Sequence, residues 1–90
     1  MSLGKQPILV TKTTGQTATI TGATSISAWV EDDGDTFKVT AGFINGESGA
    51  VNEMTFTNKV GYNPTFMGAQ QMVDHVFDNI TGTLRIVYFK

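Results

Sequence analysis

Between Ile26 and Ala41, "ISAWVEDDGDTFKVTA", apolar and polar side chains alternate on both sides of a turn. A two-residue turn centred on Asp33-Gly34 pairs Asp32 with Asp35 and then opposes Val30 to Phe37, Ala28 to Val39 and Ile26 to Ala41. These apolar pairs share one face. Glu31 with Thr36, Trp29 with Lys38 and Ser27 with Thr40 share the other. A one-residue slip scatters this alternation, so the spacing predicts an antiparallel hairpin with one buried face.

The next turn follows the same logic. A four-residue loop, Asn45 to Ser48, pairs Phe43 with Ala50, Val39 with Met54 and Phe37 with Phe56. That register keeps the apolar face continuous but sets Asn52 opposite Ala41. Upstream, Pro7 to Lys12 and Thr17 to Thr21 read as a further strand pair whose register is open. Turn signals at Thr14-Gly15, Thr21-Gly22, Asn45-Gly46, Lys59-Val60-Gly61 and Thr81-Gly82 punctuate short antiparallel strands.

Beyond Gly61 the period lengthens. In "NPTFMGAQQMVDHVFDNI", Phe66, Ala69, Val73, Val76, Phe77 and Ile80 fall on one arc of a helical wheel, with Asn63 placed to cap and Pro64 at the first helical position. The pattern predicts a helix over about 64–79, then a final strand over about 83–89. The expected fold class is α+β, mostly β. It is an antiparallel meander sheet, or a small partial barrel or sandwich, with that helix over one face. Residues 1–90 are expected to form a single small β-rich domain.

Composition supports the strands. Fourteen threonines and ten glycines suit strands and tight turns better than long helices. Charged residues are 16%, so the polar surface comes largely from Thr, Ser, Asn, Gln and Gly. A net charge of −2 with six Lys and Arg gives no basic stripe, so neither nucleic acid nor a membrane surface is an expected partner. The chain has no cysteine, hence no disulfide framework and no zinc–thiolate site. Apolar runs fall short of a membrane span and the amino terminus lacks a signal-peptide core. The expected location is the cytoplasm at synthesis, then a virion for a particle component.

Candidate chemistry is sparse. Asp32, Asp33 and Asp35 surround Gly34, but no later bidentate Glu completes a calcium loop, and the three carboxylates of a tight turn splay into water. His75, the single histidine, points away from the apolar arc of the expected helix and reads as solvent-exposed. Glu53 and Lys38 read as an ion pair on adjacent strands. Asn79-Ile80-Thr81 matches a glycosylation triplet with no secretion signal behind it. No catalytic, metal or cofactor residue is assigned, and an enzyme is not expected.

The residues singled out are surface candidates. Trp29 and Lys38 share the outward face of the expected hairpin, where the ammonium can shield the ring. The final strand is apolar on both faces, with Leu84, Ile86 and Tyr88 on one and Val87 and Phe89 on the other. Val87 and Phe89 are therefore interface candidates, and the strand a candidate edge. The Thr/Gly/Asn-rich, weakly charged composition is similar in style to small structural proteins of bacteriophage and viral particles, a likeness carried by no particular residue. The expected function is a non-enzymatic structural or assembly protein, a head- or tail-associated component acting as a homo-oligomer or within a larger assembly. The alternative is a small β-rich module that grips a glycan or peptide through Trp29 and neighbouring polar residues, Tyr62 among them.

Overall fold

The strands are there, but they form two facing antiparallel sheets rather than a meander. A computed structural model describes residues 5–45, 49–65 and 71–90. Seven strands follow in order: β1 (Ile8–Thr13), β2 (Ala18–Ile20), β3 (Ser25–Val30), β4 (Thr36–Asn45), β5 (Gly49–Thr57), β6 (His75–Asp78) and β7 (Thr83–Phe89). The first sheet has the order β1-β7-β3, the second β2-β6-β4-β5. Residues 62–65 lie along the other side of β3 as a strap. Ala28 and Tyr62 exchange backbone hydrogen bonds of 2.9 and 3.0 Å, and Ile26 N–H donates to the Pro64 carbonyl at 3.1 Å.

With the strap counted as a fourth strand, the two orders match pair by pair. β1 corresponds to β2, β7 to β6, β3 to β4, and the strap to β5. Each such pair is consecutive in the chain, so four connections are arches that carry the chain from one sheet to the other. The strand directions bring all four to the same end: residues 14–17, 31–35, 58–61 and 79–82.

The hairpin expected about Asp33-Gly34 is one of these arches. Asp35 N–H does close a β-turn on the Asp32 carbonyl at 3.2 Å, and Gly34 takes φ +86°. However, β3 pairs with β7 (Trp29 opposite Arg85) and β4 pairs with β5 and β6. Ile26, Ala28, Val30, Phe37 and Val39 are all buried as the alternation requires. An arch folds two such faces onto each other across the core, whereas a hairpin lays them side by side. Period-two alternation satisfies both, so it fixes the faces and leaves the partner open.

The β4–β5 hairpin follows the expected register through Phe37–Phe56 and Val39–Met54. Between Thr40 and Phe43 a bulge intervenes, after which Phe43 opposes Val51 rather than Ala50. Two residues of β4, 41 and 42, thus stand against Asn52 alone, as in a β-bulge. The expected loop tip, residues 46–48, lies outside the described residues.

Among the described residues there is no helix. Residues 66–70 of the one expected over 64–79 lie outside them, but Gln71–Asp74 is irregular and His75–Asp78 is β6. β6 lies between β2 and β4, bonded to both, so its backbone groups find partners across the sheet rather than along a helix. His75 and Phe77 turn inward while Val76 and Asp78 are less buried, a period of two. Val73, on the helical arc, is 66% exposed; His75, off it, is 3% exposed.

The core lies between the sheets. Ala28, Leu84 and Ile86 from the first meet Phe37, Val39 and Phe77 from the second, all fully buried. Phe37 stacks on Phe56 at 5.4 Å and lies 6.2 Å from Phe77. Phe37 and Phe77, both fully buried, each contribute about 1.5–3 kcal/mol by burial. No helix among the described residues is long and apolar enough to cross a membrane.

Candidate functional site

The outward face of the first sheet can be written as rows across its strands. Leu9, Val87 and Ser27 are register neighbours on β1, β7 and β3, and Ser27 Oγ donates to Oδ1 of Asn63 on the strap at 2.5 Å. In a second row Phe89 opposes Ser25, which bridges to Thr65. In a third, Thr11, Arg85 and Trp29 are neighbours. Arg85 is ion-paired with Glu31 and its Nη1 reaches Thr11 Oγ1 at 3.4 Å, which neutralises the row's charge internally.

Serine is short, so rows one and two dip along β3. Ser25 and Ser27 form the floor of an open groove of about 270 Å³, with Val87 and Phe89 on one side and Asn63 and Thr65 on the other. Leu9, 60% exposed, and Ile8, 36% exposed, stand at the β1 margin. Among the described residues β1 is hydrogen-bonded on one side only, to β7.

Trp29, Val87 and Phe89 thus share one surface, as outward positions of adjacent strands. Two expectations fail there. β7 is no edge, because it is inserted between β1 and β3. The exposed apolar edge belongs to β1. Lys38 does not join Trp29 either: it lies on the outward face of the second sheet, across the sandwich, since its strand neighbours Phe37 and Val39 point into the core. Its Nζ lies 3.1 Å from Glu53 Oε2, the expected ion pair, and 3.8 Å from Asp78 Oδ1. The hydrogen bond to Glu53 holds its ammonium above the ordinary pKa, with Asp78 adding attraction.

The acidic tip does not splay as a unit. Asp33 Oδ1 accepts from Asn58 Nδ2 at 2.6 Å, and the half-buried Asp35 turns its carboxylate against Gly82. The carboxylates diverge, and no group of three metal-binding side chains lies among the described residues.

His75 is the feature that sequence reasoning placed wrongly. It is buried, with Nδ1 2.8 Å from the Val73 carbonyl and Nε2 2.7 Å from the Tyr62 hydroxyl. A carbonyl only accepts, so Nδ1 donates to Val73, while Nε2 and the Tyr62 hydroxyl share the second hydrogen bond. Tyr62, expected to face a ligand, instead turns inward. Its ring lies 5.0 Å from Phe56 and 5.8 Å from Phe43, and burial pushes its phenol pKa up. The pair locks the strap to the second sheet. Both imidazole nitrogens are occupied, so the ring offers no free base.

Compared with known proteins, the chain matches no protein-family model, no curated protein and no solved structure.

Proposed function

We propose that this chain is a non-enzymatic structural protein of the kind that builds a virion or phage particle, and that it assembles through the free edge of β1. The observation that carries this reading is the pairing of a backbone edge that is open among the described residues with the exposed side chains of Ile8 and Leu9. Unpaired N–H and C=O groups beside uncovered apolar area form a template for another strand. A second copy placed on β1 continues the first sheet across a two-fold axis, and the same edge serves a larger particle equally well.

Analytical ultracentrifugation over a concentration series tests this. Wild type is expected to sediment as an oligomer whose population rises with concentration, and Leu9→Lys as a monomer. Wild type that stays monomeric at high micromolar concentration removes self-association as the function.

A further inference from the structure

We propose that the groove along β3 is a binding site for a neutral saccharide. The proposal goes beyond assembly and does not depend on it.

Three features narrow the ligand. First, the groove offers no backbone to an extended peptide. β3 forms its floor, with β7 on one side and the strap on the other, and it is hydrogen-bonded to both. Peptide strands are captured at open edges, so a peptide strand has nothing here to pair with. Second, the lining carries no charge: with Ile26 it consists of Ser25, Ser27, Asn63, Thr65, Val87 and Phe89. The nearest guanidinium, Arg85, is held by Glu31 and Thr11. A phosphate or an acidic polymer finds no counter-charge among the lining residues. Third, the two walls differ in kind. Val87 and Phe89 form an apolar side, while Asn63 and Thr65 offer amide and hydroxyl groups over a floor of serine hydroxyls. Because Asn63 accepts from Ser27 through Oδ1, its Nδ2 protons stay available.

A ligand that suits such a groove has an apolar face, hydroxylated edges and no charge. A pyranose ring has all three. Its C–H face lies against Phe89 and Val87, and its hydroxyls reach Asn63, Thr65 and the serines. The volume is near the lower end of small-molecule sites, ~300 Å³, so one ring is held and a longer chain continues over the open groove. Trp29, the next outward residue after Ser27 on β3, stands in line to meet that continuation.

The test is an amide-shift titration of the isotopically labelled full chain with chitotriose, cellotriose and maltotriose, repeated on Leu9→Lys to keep assembly out of the reading. An acidic heparin fragment and an extended peptide serve as controls. At least one neutral trisaccharide is expected to give saturable shifts at Ser25, Ser27, Asn63, Thr65 and Phe89, with millimolar affinity. Asn63→Ala, and separately Thr65→Lys at an exposed position, should each weaken binding about fivefold or more while leaving the melting temperature within a few degrees. Thr19→Ala, outward on the second sheet, should change nothing. No saturable shift with any of the three sugars at tens of millimolar overturns the proposal. So does binding that survives both groove variants, or a site that prefers the heparin fragment or the peptide.

Discussion

The Tyr62 hydroxyl lies 2.7 Å from His75 Nε2, and this contact ties the strap beside β3 to a strand of the opposite sheet. The two residues approach through the interior, with Phe77 beside both rings at 6.4 and 6.3 Å. The histidine that sequence patterning left in solvent is therefore a core residue, and removing it should be felt. His75→Ala deletes a buried ring and leaves the Val73 carbonyl without its donor. The expected loss is about 2–4 kcal/mol. Tyr62→Phe keeps the packing but leaves Nε2 unpaired, for about 1–3 kcal/mol. Urea denaturation of both variants measures this. A His75→Ala loss under about 0.5 kcal/mol, the range of ordinary surface sites, would contradict the burial.

Alkaline stability follows from the same residue. Burial raises the Tyr62 pKa above the ordinary 10.0, so between the two values the unfolded chain has released a proton that the folded chain still holds. Stability is then level below pH about 10 and falls as pH climbs from there through the raised folded-state value. Lys38 acts in the same direction. Its hydrogen bond to Glu53 raises its pKa above 10.5, giving a contribution present below that value and lost above it. Denaturation curves between neutrality and strong alkali should show this decline, and Tyr62→Phe combined with Lys38→Met should flatten it. A decline unchanged in the double variant would assign it elsewhere.

Gly82 should not tolerate a side chain. Its φ is +76°, and a Cβ would stand 1.7 Å from Asp35 Oδ2. Gly15, in the neighbouring arch, has φ +83° with nothing within 4 Å of the same point. Gly15→Ala therefore measures backbone strain alone, about 1 kcal/mol or somewhat more. Gly82→Ala should cost more, and adding Asp35→Ala should recover the difference. Equal costs at the two glycines would show that the carboxylate moves aside freely.

Assembly through β1 makes a sharper claim than oligomer formation. Leu9→Lys should abolish it with a stability change of no more than about 0.5 kcal/mol, because Leu9 is 60% exposed. Phe89→Ser should leave it largely intact, since β7 is interior to the sheet. Sedimentation of both variants beside their melting curves decides this. The opposite ranking would return the interface to β7.

Which residues face inward was legible in the sequence because a strand buries every second side chain, and Ile26, Ala28, Val30, Phe37 and Val39 obey that rule. Which strand lies beside which was not. Trp29 opposite Lys38 and Trp29 opposite Arg85 put the same residues in the core, and only a pairing distant in sequence separates the two. β6 is four residues long, too short for its alternation to outweigh a helical arc drawn through its flanks. The site shares this history. Trp29, Val87 and Phe89 could be read as outward, but the groove exists because Phe89 comes to lie beside Ser25 and Asn63 beside Ser27. No local pattern announces either meeting.

The insertion of β7 between β1 and β3 bears on how the molecule is made. Until residues 83–89 leave the ribosome, β1 has no partner in the first sheet, β3 has only the strap, and the phenylalanines of the second sheet lack Leu84 and Ile86 across the core. The nascent chain must therefore carry exposed apolar strands until β7 has emerged. Its first sheet is zipped up late, by pairings between residues far apart in sequence, which is the slow route for a chain this small. A pause or truncation before Thr83 should yield an aggregating fragment rather than a partial fold, and any chaperone that meets this chain should meet it in that interval.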